Sequence, residues 1–119
     1  MANTFAIHID GLRTVSPNVQ NTEHWRKRNA RKKEQQREVY FAWKATAFGR
    51  RLPKLPVVVR LTRFGPRLLD SDNLAASFKG IRDTVAELMH VDDGSDAIQF
   101  EYGQQHDAGY AVTIQVEAV

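Results

Sequence analysis

The sequence predicts an α+β domain, a four-stranded mixed sheet with two helices on one face in the order β-α-β-α-β-β. Three observations predict it. Short segments of strictly alternating apolar and polar residues open the chain, cross its middle and close it. Two longer segments between them carry apolar residues at helical spacing. The length of 119 residues, with 42% hydrophobic and 26% charged, is that of one ordinary globular domain, so residues 1–119 read as a single unit.

Thr4-Phe5-Ala6-Ile7-His8-Ile9-Asp10 alternates cleanly and Gly11 ends it, which predicts the first strand. Residues 12–21, rich in Ser, Pro and Asn, read as a loop. From Thr22 to Phe48 there is neither Gly nor Pro, and Gly49 stands where a helix C-terminal glycine would. Val39, Tyr40, Trp43 and Ala47 make the second half of this span a helix with a face to bury. The first half, Arg26 to Arg37, holds seven basic residues and almost nothing apolar. A helix polar all round gains little from packing, so the basic segment at about 12–37 reads as mobile until it meets a partner.

Val57–Phe64 is rich in β-branched residues and is stopped by Gly65-Pro66, a second strand that could also serve as a dimer edge. A helix is expected from about Asn73 to Met89, with Leu74, Phe78, Ile81, Val85 and Leu88 as its core stripe. Ala97–Gly103 and Tyr110–Glu117 alternate as two more strands, and Gln104–Gly109 between them reads as a hairpin loop.

The net charge of +3 conceals an asymmetry. Residues 1–69 carry 15 Lys/Arg against 4 Asp/Glu, whereas residues 70–119 carry 2 against 10. A basic half suggests a polyanionic partner, and an acidic half beside it suggests carboxylates that hold metal. The absence of cysteine excludes disulfides and thiolate metal sites and favours an intracellular protein. No apolar run approaches the ~20 residues of a membrane span, and no signal peptide opens the chain. Walker motifs, Gly-rich phosphate loops and nucleophile elbows are absent.

The chemistry concentrates between Leu69 and Asp96: Asp70-Ser71-Asp72-Asn73-Leu74, the helix, then Val91-Asp92-Asp93-Gly94-Ser95-Asp96. On a wheel, Asp72, Ala76, Lys79 and Asp83 fall on the face opposite the core stripe. The two acidic loops bracket a helix of about 16 residues, roughly 24 Å long, and converge only if the chain after Met89 turns back. Crowded carboxylates are the hard oxygen donors that Mg²⁺ prefers. Plainer readings stand beside this one. Asp72 is a good N-cap, Lys79 and Asp83 are spaced for a surface ion pair, and Asp92-Asp93-Gly94 is an ordinary turn. Trp25 and Trp43 read as core or interface residues, and the four histidines show no ligand or triad spacing.

These residues resemble the signature of the RusA family of Holliday junction resolvases. Asp70-Ser71-Asp72-Asn73-Leu74, the helix with Lys79 and Asp83, and Val91-Asp92-Asp93 carry the resemblance. It extends across the chain, with the early strand, the Asn-containing basic segment at Asn18–Arg28 and the closing hairpin in place. It implies Mg²⁺-dependent (Mn²⁺ as a substitute) cleavage of four-way DNA junctions by a homodimer, leaving 5′-phosphate and 3′-hydroxyl ends. It implies a metal site gathered from Asp70, Asp72 and Asp93, with Asp92 and Asp96 as helpers or bystanders. One departure stands out: the position where well-known members carry a catalytic lysine is Ala76 here, so Lys79, one turn on, is the expected substitute.

Phosphate contacts are expected from Arg26, Lys27, Arg28, Arg31, Lys32, Lys33 and Arg67, with Arg60 and Arg63 leading toward the same loop. Neither a small-molecule cofactor nor a membrane is expected, and the resemblance implies a cytoplasmic setting in a bacterial or phage-infected cell. The alternative is a non-catalytic junction-binding or DNA-binding module working through its basic N-terminal half. A small dimeric protein whose basic arm meets an acidic protein partner is the plainest reading.

Overall fold

The computed structural model describes residues 4–16, 24–92 and 94–119. Its elements in order are β1 (Thr4–Asp10), α1 (Trp25–Ala47), β2 (Val57–Gly65), α2 (Ser71–Ser77), α3 (Lys79–Leu88), β3 (Ile98–His106) and β4 (Ala111–Ala118). The expected Asn18 segment lies partly, and Asp93 wholly, outside the described residues.

The four strands form one mixed sheet in the order β1-β4-β2-β3, antiparallel except for the parallel β2/β3 pair. Alternation sends Phe5, Ile7 and Ile9, Val57, Val59 and Leu61, Ile98, and Val112, Ile114 and Val116 to one face. Val39 and Trp43 of α1 join that cluster, as do Leu74, Phe78, Ile81 and Val85 of α2 and α3. Both helical layers therefore cover the same face, as the apolar stripes require. Trp43, expected in the core, is buried with its ring 4.8 Å from that of Phe5.

Three expectations are corrected. β3 and β4 do not form a hairpin, because β2 lies between them. β4 buries Ala111, Val112, Ile114 and Val116 and takes an interior position, while β3 ends in the polar Gln104, Gln105 and His106 and takes an edge. The short connection between them spans two strand spacings, about 10 Å. For the same reason β2 is an interior strand and offers no dimer edge.

The helix expected over 73–89 is two helices. Phe78, at φ −92° and ψ 1°, breaks it, with its N–H donated to Ala75 at 3.2 Å and the Ser77 hydroxyl donating back to the Leu74 carbonyl at 2.7 Å. The break seats the fully buried Phe78 ring 5.9 Å from Tyr102.

The basic stretch from Trp25 onward is part of α1. His24 caps it, its Nδ1 accepting from the Arg26 N–H at 3.2 Å.

Candidate nucleic-acid interface and acidic site

On α1 the residues facing the rest of the protein recur as Arg28, Arg31, Lys32, Gln35, Val39 and Trp43, the spacing of a single helical stripe. The stripe changes chemistry along its length. Val39 and Trp43 pack on the sheet and Gln35 is buried, its amide donating to the Arg13 carbonyl at 2.7 Å. Beyond Gln35 the helix overhangs α2 and α3, and the same stripe becomes basic.

A cleft of about 270 Å³ lies there, lined by Arg28, Asn29, Arg31 and Lys32 on one side and Ala76, Ser77, Lys79, Gly80 and Asp83 on the other. Gly80 lies where the two walls meet, within ordinary contact distance of the Gln35 and Lys32 side chains. Of the expected phosphate contacts, Arg28, Arg31 and Lys32 line this cleft, whereas Arg26, Lys27 and Lys33 are outside it.

The other arginines divide. Arg67 is exposed and its carbonyl accepts from Arg63 at 2.6 Å. Arg63 is only 5% exposed, and burial pulls its guanidinium below the usual arginine range. Its guanidinium therefore supports the β2–α2 loop from inside the fold. Arg60 lies on the helix-free face of the sheet, hydrogen-bonded to Glu117 and, at 3.0 Å, to Glu101, and these bonds raise its pKa.

Asp70, and not Asp72, is the N-cap of α2. Its carboxylate accepts from the Asn73 backbone N–H at 2.9 Å and from the Asn73 side-chain amide at 3.1 Å. Asp72 sits in the first turn, where a negative charge suits the helix dipole, and both carboxylates are exposed. Just upstream, the Gln104 amide holds Leu69 by both backbone groups, at 2.9 and 2.5 Å.

Lys79 begins α3 and pairs forward with Asp83 at 3.1 Å, so its ammonium points away from the α2 N-terminus and toward the cleft.

At the far end, α3 closes in a Schellman turn. His90 takes the left-handed conformation at φ 61°, its N–H bonding Glu87 at 3.0 Å while the Val91 N–H reaches the Ala86 carbonyl at 3.0 Å. The chain does turn back after Met89, as convergence required. It then enters β3 beside the start of β2: Ile98 pairs with Val57, while Gln104, next to the Asp70 loop, pairs with Arg63. Six residues of strand separate Ile98 from Gln104, roughly 20 Å. Asp92 precedes Ile98, so the turn leaves it at the opposite end of the parallel pair from Asp70.

Asp70 and Asp72 are suitable oxygen donors for Mg²⁺. Among the described residues, however, no group of three His, Asp or Glu side chains gathers around a metal position.

Two features escaped the sequence reading. Trp25 is 55% exposed, stacked on His24 at 5.7 Å with Arg26 over its ring, an aromatic platform at the head of the basic helix. Its lack of apolar neighbours in sequence was the signal that could have found it. On the helix-free sheet face, His8 bridges Asp10 (2.9 Å) and Thr113 (3.0 Å). The i,i+2 placement of His8 and Asp10 was visible in the sequence, but Thr113 joins them only through the β1/β4 register. No helix among the described residues is long and apolar enough to cross a membrane. No protein-family model and no curated protein matches the chain.

Proposed function

We propose that this protein is a Mg²⁺-dependent, structure-selective endonuclease that cuts four-way DNA junctions as a homodimer. One observation carries the reading: α2 and α3 present two exposed carboxylates, Asp70 and Asp72, at one end and line a basic cleft along their flank. Hard-oxygen donors on α2 thus lie beside a cleft whose cations come from α1 and from Lys79 of α3. Asp70 and Asp72 would hold Mg²⁺, joined by Asp93 only where the acidic loop of the second copy completes the site, and the ion would supply polarisation of a phosphoryl oxygen and activation of a water. The chain's own part is to hold the DNA backbone through Arg28, Arg31 and Lys32, with Lys79 beside it. Asp70 stays oriented by its Asn73 and Gln104 supports. An isologous dimer would match the two-fold symmetry of the junction.

The test is incubation with a labelled synthetic four-way junction, with and without Mg²⁺, beside Asp72→Asn and a linear duplex of the same sequence. Symmetric metal-dependent nicking of the junction, lost in Asp72→Asn with binding retained, is the expected result. Nicking of neither substrate under any divalent metal would sink the reading.

A second reading is favoured by the capping role of Asp70 and the distance to Asp92: a DNA-binding module in which the carboxylates only shape the helix. It requires junction binding that is indifferent to Mg²⁺ and to Asp72→Asn.

A further inference from the structure

An ordinary solvated basic helix points its charge at water. In α1, three cations line the stripe that faces its neighbour, Arg28 and Arg31 half-buried and Lys32 exposed at the margin, in register with Gln35, Val39 and Trp43 of the buried half. The wall opposite includes Ala76, Ser77 and Gly80, small residues that leave the space between the helices unfilled.

Four cations, Arg28, Arg31, Lys32 and Lys79, thus converge on one cleft, and Asp83 is the carboxylate among its described lining residues. Asp83 is already engaged by Lys79 at 3.1 Å. The cleft's 270 Å³ equals about nine waters at ~30 Å³ each, ample for a phosphodiester group with part of its sugars.

We propose that the cleft between α1 and α2–α3 is the seat of a DNA backbone phosphate, and that Lys79 exchanges Asp83 for that phosphate when DNA binds. The proposal rests on the DNA-binding part of the endonuclease reading and deepens it without depending on the metal. Asp83 acts as an internal stand-in for the ligand: it satisfies Lys79 in the free protein and competes with phosphate for it. Exposed ion pairs are weak, so the exchange has little to overcome. Arg28 and Lys32, one turn apart on α1, hold the phosphate from the opposite wall. Asn29 supplies a neutral donor.

The test is fluorescence anisotropy of a labelled four-way junction and of a matched linear duplex, in EDTA, across a salt series. Melting curves accompany each variant. Asp83→Asn should bind both DNAs about threefold to tenfold more tightly, because the competing charge is gone. Lys79→Gln and the double variant Arg31→Gln/Lys32→Gln should bind more weakly. Their salt slopes should fall by about one unit for each phosphate that is no longer neutralised. Lys33→Gln, which removes an exposed cation outside the cleft, should change the slope least.

Unchanged affinity in Asp83→Asn together with equal losses from Lys33→Gln and Lys79→Gln would overturn the proposal, leaving only a smooth basic surface. Release of the DNA by poly-glutamate at equal charge concentration would overturn it as well, in favour of an acidic protein partner. The two readings fail separately. Cleft variants that alter binding in a protein that never nicks would remove the endonuclease and keep the seat, and nicking untouched by the cleft variants would do the reverse.

Discussion

The side-chain amide of Gln104 on β3 closes a two-bond clamp on the backbone of Leu69, accepting its N–H at 2.9 Å and donating to its carbonyl at 2.5 Å. The residue so fixed immediately precedes Asp70, the cap of α2. The edge strand thereby positions the carboxylate through the backbone. Gln104→Ala should destabilise the fold by about 1–3 kcal/mol, the usual cost of stranding partly buried backbone groups. Gln104→Glu keeps the acceptor and loses the donor, so its loss should be intermediate. Thermal melting gives the stability, and nicking of a four-way junction should fall while the salt slope of DNA binding stays unchanged.

Asp70 has two jobs that substitution can separate. Asp70→Ala removes the bonds to Asn73 and should cost about 1 kcal/mol of stability. Asp70→Asn keeps a good cap and removes the charge, so its Tm should stay near that of the parent. Under the endonuclease reading both variants lose nicking. Full activity in Asp70→Asn would mean that the residue only caps.

The separation of Asp92 from Asp70 along the β2/β3 pair makes a mixed dimer informative. If the acidic loop of one copy completes the site of the other, mixing Asp72→Asn with Asp93→Asn chains restores one intact site of two. Unpaired nicks should then appear where each variant alone is inactive. If each chain completes its own site, every site in the mixture carries a lesion and no nicking returns.

Glu38, partly buried on α1 and four residues from Glu34, has its pKa raised, first by burial and then by that neighbouring charge. An acid whose folded pKa exceeds its unfolded value binds protons more tightly when folded. Its ionised form therefore weakens the fold at neutral pH, and stability is regained as the pH falls through the carboxylate range. Glu38→Gln should melt slightly above the parent at pH 8, with the difference shrinking toward pH 4. A difference that grows on acidification would contradict the sign.

Local signals in the sequence located every strand, although β3 runs on through Gln104, Gln105 and His106, expected as loop. Thr4–Asp10 and the closing Ala111–Ala118 declare themselves by alternation, because a pleat sends successive side chains to opposite faces whatever the partner strand. The core stripe Leu74, Phe78, Ile81 and Val85 was equally legible, since its spacing survives the break at Phe78. The break itself was not, because it follows from where the Phe78 ring must sit against Tyr102. Strand order was also hidden. Nothing near Gln104–Gly109 says that β2 comes between β3 and β4, a choice set by which strand is apolar enough for the sheet interior.

The same division holds for the candidate site. The residue types and their clustering, Asp70 with Asp72 and the cations of residues 26–37, were determined by the sequence alone. Which cations face inward was decided only by the tertiary structure, because the first half of α1 shows no apolar stripe from which to read a phase. Docking of Val39 and Trp43 onto the sheet sets that phase, and helical geometry then carries it three turns back to Arg28. A buried apolar half thus aims a basic half at its neighbour, a relation between distant parts of a helix that no local pattern contains.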